Sequence, residues 1–387
     1  MSTEPNQQNF KLSICSDTDL FAQMQSRWND LVVADKTSSI FVSWEWMFSW
    51  WQVFQSQYKL MLILVLDESD RLVGIGPFCI RSHLGGRYRS LQFIGADSRS
   101  GTDFIDVITD SAFAESARWS IVKCILDQRS EWDMLKLNGL VQGSATLSML
   151  WDIFAENLRL WPERHCPVGE LPATHNEFLA GLGRRNRRNI RNHERRLQDE
   201  FKVTISRIDA VQDIADTYSQ FVSLHRTRRN KTVGFSSFDN ARIIAFQNEL
   251  LPRMATNGHV RFYQLENENG TFGMAWFFVW RGHLYLYQGG FDNHHLPSHV
   301  SIMPVLISHA VADAISDGLQ KLHLLDGNTL FKQGFATRTI ETHMAFGWHT
   351  LHGRMFVILI QLGVLGRTLV RALIPIKLRN RIRRLIK

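Results

Sequence analysis

The sequence predicts an α+β (mixed α/β) protein of two tandem domains, each a mixed sheet flanked by helices, followed by a basic amphipathic tail. Three observations carry this. The stretch Arg261–Phe335 reads as three β-type runs, a helix and a short strand that delivers Asp326 to a loop. That order describes a mixed sheet with one right-handed parallel crossover. The layout has an earlier counterpart: residues 61–82 and 260–281 are both strand, acidic turn, strand, Arg, and in each half a helix and a short strand follow. Such self-similarity is the mark of an internal repeat. Finally, 387 residues are too many for one hydrophobic core. The expected division is 1–172, 173–350 and a tail over 351–387.

In order along the chain, Asp19–Asp30 places Leu20, Met24 and Trp28 on one helical face. Within Ser38–Tyr58, Trp44, Phe48 and Trp51 form one helical stripe and Trp46, Trp50 and Val53 a second. A helix apolar on two sides is expected in the interior, although aromatic rings can also stack on sugar faces. Leu60–Leu66 and Leu72–Arg81 flank the turn Asp67–Asp70 as a hairpin, and Arg89–Ile94 adds a strand. Gly101–Thr109 alternates Phe104, Asp106 and Ile108 against Ile105 and Val107, which predicts another strand. Ala112–Gln128 reads as a helix, Trp132–Leu137 as a strand and Met149–Leu160 as a helix. Trp161–Pro172, with three prolines, reads as the connection between domains. Helices are expected over Val211–Arg229 and Phe238–Met254.

Composition narrows the class. A hydrophobic content of 44% with 21% charged residues is that of a folded chain. Cys15, Cys79, Cys124 and Cys166 are scattered without ligand spacing, so reduced core thiols and no metal site are expected. The N-terminus carries neither a basic start nor an apolar run, from which a cytoplasmic protein is expected. Charge is uneven: residues 1–180 hold 15 Lys and Arg against 22 Asp and Glu, while residues 184–196 and 354–387 contribute net charges of +6 and +9. The basic balance reports two local segments rather than a general nucleic-acid signature.

The first is the helix Arg184–Arg196. Ile190 and Leu197 share a narrow apolar stripe, leaving seven arginines, Arg188 among them, on the other sides. Guanidinium forks suit phosphate and carboxylate. A solvated surface helix, a site for the phosphates of a cofactor or anionic substrate, and contact with a nucleic-acid backbone all fit. No base-stacking aromatics interleave with the arginines, which counts against modules that read nucleic-acid sequence. On the next helix, His225 stands beside Arg226, Arg228 and Arg229 and is a candidate site residue as well as a candidate core histidine.

With these residues in view, the chain resembles GNAT-type acyltransferases, in particular the tandem-domain CelD-like branch associated with cellulose or exopolysaccharide biosynthesis, which is similar in architecture to FemX-type peptidyltransferases. The segments that carry the resemblance are SWEWMFSWW, RRNRRNIRNHERRL, LHRTRR, GHLYLYQGGFD and LLDGNTLFKQGFATR, in that order. It implies acetyl-CoA or another acyl-CoA as co-substrate, no metal, and direct transfer to an amine or hydroxyl acceptor. One departure is visible: Pro297-Ser298-His299 stands where that family often carries Pro-Gly, and no Gly-x-Gly opens the helix.

Such a transfer needs a base, an acid for the leaving thiolate and a group to polarise the carbonyl. His283, Tyr285 and Tyr287 alternate onto one strand face, a polar and aromatic face that fits a cleft wall. Tyr287 is the candidate acid, with Tyr285 beside it; Asp326 is the candidate base or orienting carboxylate; His225 completes the catalytic candidates. Gln288, Gly289, Gly290 and Ser298 on the strand-to-helix loop, with Lys332 and Arg188, are the candidates for holding the donor.

The second basic segment is the tail. From Thr342 to Lys387 there is no acidic residue, and eight basic residues from Arg367 onward alternate with apolar ones. A segment of this kind lies on an anionic membrane surface or packs as a terminal helix. At about 1 kcal/mol per basic residue near such a surface, reversible attachment at the inner face of the membrane is expected. Three functional classes follow: an acyl-CoA-dependent acyltransferase, a FemX-like transferase that takes an aminoacyl group from tRNA, and a non-catalytic scaffold of a polysaccharide-synthesis complex.

Overall fold

The computed structural model describes residues 9–96, 101–232, 234–292, 300–327 and 329–373, the side chains of 230–232 and 364–373 excepted. The chain forms two compact units, one of residues 1–163 with 342–387 and one of residues 164–341.

The first unit opens with strand β1 (Lys11–Cys15) and helices α1 (Thr18–Gln23), α2 (Gln25–Ala34) and α3 (Trp44–Phe54). The helix expected over Asp19–Asp30 is two. Asp17 caps α1 through the N–H groups of Asp19 and Leu20, and the chain breaks at Met24. In α3, capped by Ser43, Trp44, Trp46, Met47, Phe48, Trp50 and Trp51 are all buried. Even Glu45 lies inside, its carboxylate held by Gln25 and Asn29. The interior reading of this helix therefore holds, and the indoles are closed to a sugar.

Next come β2 (Tyr58–Leu66), β3 (Leu72–His83), β4 (Tyr88–Phe93), the two-residue β5 (Ile108–Thr109), α4 (Ala114–Asp127), β6 (Met134–Val141), α5 (Ala145–Phe154) and β7 (Leu158–Glu170). β2 and β3 form the expected hairpin, β3 pairs with β4 antiparallel, and β4 and β6 run parallel after the α4 crossover. One expectation fails. Of Gly101–Thr109 only the last two residues are strand, because side chains satisfy the backbone before them. Asp106 accepts from the Val107 N–H and Ser39 donates to the Phe104 carbonyl. The two units divide between Glu163 and Arg164, within the expected connection Trp161–Pro172, most of which is strand β7. Pro167 needs no N–H there, since it supplies only its carbonyl, to Leu324.

The second unit continues with α6 (His175–Gly181), α7 (Arg184–Asp199), β8 (Thr204–Ile208), α8 (Ile214–Thr232), α9 (Ala241–Thr256), β9 (Val260–Asn267), β10 (Gly270–Trp280), β11 (His283–Phe291), α10 (Ile302–Ser316), β12 (Lys321–His323) and α11 (Leu330–Gln333). Its sheet runs β7-β12-β11-β10-β9-β8, with β11 and β12 parallel and the other pairs antiparallel. The hairpin, third strand, crossover helix and parallel strand repeat those of the first unit. One sheet face buries Tyr263, Phe277, Leu284 and Leu286 against α10 and the Ile190–Leu197 stripe of α7. The other buries Phe262, Trp276, Phe278 and Tyr287 against α8 and α9, with Phe221 edge-on to Trp276.

The chain returns to the first unit through β13 (Arg338–Trp348), whose residues from Thr342 pair with β6, and ends in α12 (Leu351–Leu373). Val357, Phe356 and Ile360 of α12 pack on Met134, Phe346 and Trp348. Gly353 lets the helix approach closely, since a Cβ there would stand 2.0 Å from the Asp133 carbonyl oxygen. The reverse face carries Leu351, Met355, Ile358, Leu359 and Leu362, 43–76% exposed. Among the described residues no helix is long and apolar enough to cross a membrane.

Candidate active site

In the second unit β11 and β12 stay together for three positions only, from His283 opposite Lys321 to Tyr285 opposite His323. The register of β11 against β10 then slips by one residue. Trp276 faces Gln288 while Phe277 faces Leu286, so Tyr287 is the extra residue of a bulge. A bulge takes backbone groups off the ladder and re-aims side chains, which is why bulges concentrate beside active sites. Where β11 turns away, β12 ends and its continuation reaches Asp326. Leu325, just before it, has φ of +55°, a left-handed conformation that costs a branched side chain about 1–3 kcal/mol and is held only where the surroundings impose it.

Two basic side chains converge on this loop. Lys332, in the last turn of α11, donates to the main-chain carbonyls of Leu325 and Asp326, and burial lowers its pKa against the opposing pull of Asp326. Arg164 of β7 lies beside the same loop because β7 runs along β12 and on to Gly327, whose N–H donates to the His165 carbonyl. Burial lowers its pKa too, and the charges of Asp326, Cys166 and Tyr287 act against that effect. One positive charge is thus felt by both the candidate base and the candidate acid. Arg164 was not singled out in the sequence. Its only signal there is an arginine in a segment that reads as a connection.

Tyr287 is 8% exposed, and its hydroxyl accepts from Gln247 Nε2 at 2.9 Å. Burial pushes its pKa well above the usual phenol range, so it holds its proton at neutral pH. Tyr285 is also buried, stacks on the ring of His323 at 4.5 Å and lies 3.4 Å from His283 Nδ1. The two tyrosines share a face, as alternation requires, but α8 and α9 cover it. It is a packed layer, and the expectation of a cleft wall is corrected.

The other candidates separate by surroundings. His225 is buried, with Nδ1 2.9 Å from Ser236 Oγ and its ring edge-on to Phe238. Burial first, then Arg229 and Arg228, lower its pKa to about 4, which keeps it neutral. Gly290 lies under α8, where a Cβ would meet His225 N at 2.9 Å, and Gly289 lies against Met303 of α10. Helix packing already accounts for both glycines. The Gly289 carbonyl accepts from Arg228, whose guanidinium sits 4.1 Å over the Phe291 ring. Gln288 is half-buried at the bulge. Arg188 is exposed on α7 with Arg184, Arg185, Arg191 and Arg195. Ser298 lies outside the described residues. Among the described residues no group of three His, Cys, Asp or Glu side chains is placed to hold a metal ion.

Residues 184–333 match the family described as an acetyltransferase (GNAT) domain. The match lies within the second unit and supports an acyltransferase activity there. Among solved structures it is similar to FemX, at 9% identity and a TM-score of 0.60, covering 82% of this chain and 95% of that one. It is also similar to a conserved protein of unknown function from Bacteroides thetaiotaomicron, at 12% identity and a TM-score of 0.54, covering 87% of this chain and 100% of that one. At these identities the likeness is one of fold. No curated protein matches the sequence.

Proposed function

We propose that the second unit transfers an acyl group from acetyl-CoA or another acyl-CoA to a hydroxyl or amine acceptor where β11 parts from β12. The bulge at Tyr287 carries this reading, because it takes backbone off the ladder where a thioester carbonyl needs a hydrogen-bond donor. The acceptor oxygen or nitrogen attacks the thioester carbon and gives its proton to Asp326. The carbon–sulfur bond breaks, and Tyr287, kept protonated by burial, returns a proton to the thiolate. Arg164 and Lys332 offset the charge that develops, and Gln288 at the bulge lies on the donor side. Among the described residues no side chain caps the start of α10, a setting that suits the donor's pyrophosphate at its N–H groups, although Pro304 removes one of them. Isothermal titration of acetyl-CoA into the full chain tests the reading: one saturable site per chain is expected, and no heat at millimolar ligand would end it.

A FemX-like transfer of an aminoacyl group from tRNA is the second reading. The exposed arginines of α7 favour it, since Arg184, Arg188, Arg191 and Arg195 form a stripe that fits a phosphate backbone. Salt-sensitive tRNA binding without CoA binding would select it. A non-catalytic scaffold role would show neither. Either transferase reading agrees with a CelD-like place in exopolysaccharide or cellulose synthesis at the inner membrane face. The exposed apolar stripe of α12 and the basic residues that follow it support the membrane part of that reading.

A further inference from the structure

Strands β3 and β4 meet in a tip, residues 84–87, between His83 and Tyr88, which pair across the ladder. The tip stands beside α12. Phe356 of α12 stacks on Tyr88 with ring centroids 4.7 Å apart, and 5.0 Å separates it from the ring of His83, whose Nε2 is 2.8 Å from Ser90 Oγ. Burial first, then Arg81 and Lys136, lower the His83 pKa to about 4, so it meets Phe356 as a neutral ring in a basic neighbourhood. Leu84 opens the tip. It is 66% exposed, and its φ of +50° is the left-handed conformation that a leucine adopts only with strain. Gly85 and Gly86, at φ of +69° and +90°, enter that region freely and complete the turn with open space around them. Leu84 thus neither packs in the fold nor eases the turn.

We propose that the 84–87 tip inserts into an anionic bilayer surface alongside α12, as a second contact of the first unit with the membrane. The inference rests on the membrane reading of α12 and carries it to an element which that reading does not use. Charge selects the partner. Residues 71–96 hold four arginines and no acidic residue, and no acidic residue follows Glu341. Arg87 is exposed at the tip and Arg354 is exposed on α12. Where α12 approaches β6, the carboxylate of Asp133 is paired with Arg89 at 3.4 Å. Leu359 lies one turn beyond Phe356 on the exposed stripe, so the tip borders that stripe. An exposed leucine flanked by arginines is satisfied at both ends by anionic headgroups over acyl chains.

The four cysteines are buried, so a thiol-reactive, polarity-sensitive fluorophore on Leu84→Cys of the full chain reports the tip alone. With vesicles of phosphatidylglycerol and phosphatidylcholine its emission is expected to shift to the blue, and with phosphatidylcholine alone to stay unchanged. Leu84→Glu is expected to weaken partition onto the anionic vesicles about tenfold at an unchanged melting temperature. Arg87→Glu is expected to weaken it too, by an amount that shrinks at high salt, as contact with charged headgroups requires. A label that stays in water on a chain that floats would overturn the proposal and leave the attachment to α12. Unchanged partition of Leu84→Glu would overturn it as well. So would a concentration-dependent dimer dissolved by that variant, which would make the tip a contact between copies. Failure of the membrane reading itself shows separately, as an unaltered chain that stays behind with the anionic vesicles.

Discussion

The side-chain amide of Gln247 donates to the Tyr287 hydroxyl across 2.9 Å, which ties helix α9 to the bulged position of β11. The bond holds the phenol beside the parting strands, and burial keeps it protonated. Tyr287→Phe removes the acid and leaves the ring packed on Trp276 and Phe278. Turnover is expected to fall by roughly 10²-fold, the lower end of what a positioned acid contributes. The Gln247 amide loses its acceptor, at a cost of about 1–3 kcal/mol in stability. Steady-state kinetics with a thermal melt separates the two effects. Full turnover in a destabilised variant would remove Tyr287 from the chemistry.

Asp326 is exposed at the loop, and its main-chain carbonyl accepts from Lys332. Asp326→Asn should therefore lower turnover by roughly 10²-fold with little change in melting temperature. Arg164→Met should lower turnover as well, because it removes the positive charge felt by both Asp326 and Tyr287. If Arg164→Met is fully active while Asp326→Asn is not, the arginine does not serve the site.

Gly289 and Gly290 are adjacent in sequence and differ in what surrounds them. A Cβ on Gly290 would meet the backbone of α8 at 2.9 Å, which cannot yield without moving the helix. A Cβ on Gly289 would meet the end of the Met303 side chain at 2.7 Å, which can swing aside. Gly290→Ala is expected to cost about 1–3 kcal/mol and Gly289→Ala less than about 1 kcal/mol. Denaturant melts check the order, and equal costs would mean that α8 is not seated as described.

These contrasts mark what could be read from the sequence. The β2–β3 and β9–β10 hairpins announce themselves through alternation around acidic turns, and the apolar α3 could only be interior. What escaped was non-local. The bulge at Tyr287 is a register slip between strands, and alternation along β11 alone carries no trace of it. Arg164 matters because β7 lies along β12, a pairing between residues far apart in sequence and hidden behind prolines that read as a connection. The Gly-Gly pair reads as a phosphate loop until helices are packed against both glycines.

Burial of His225 sets a direction for stability against pH. Its pKa is about 4 in the folded state, lowered by burial and by Arg229 and Arg228 against the opposing pull of Asp239. The unfolded chain, with an ordinary histidine near 6.5, binds the proton first as pH falls. Protonation of the unfolded state therefore lowers stability between about pH 6.5 and pH 4, at up to about 1.4 kcal/mol per pH unit for this group. His225→Asn, whose amide can reach Ser236 as Nδ1 does, should flatten that slope. Urea melts at pH 7 and pH 5 measure it, and an unchanged slope would assign the dependence to other groups.

The last prediction concerns α12. Its two apolar faces have different fates: Val357 is buried on Met134 and Phe346, while Leu359 and Leu362 stand on the exposed stripe. The stripe is followed in sequence by Lys377, Arg379, Arg381, Arg383, Arg384 and Lys387, with no acid after Glu341. Apolar insertion with basic residues near anionic headgroups is the combination that gives reversible surface attachment. The chain is expected to float with vesicles of phosphatidylglycerol and phosphatidylcholine and to stay behind with phosphatidylcholine alone. Leu359→Glu with Leu362→Glu should abolish flotation at an unchanged melting temperature, because neither side chain supports the fold. Val357→Glu should lower the melting temperature by burying a charge. Flotation that persists in the double variant would place the attachment elsewhere, and a concentration-dependent dimer lost in that variant would make the stripe a contact between copies.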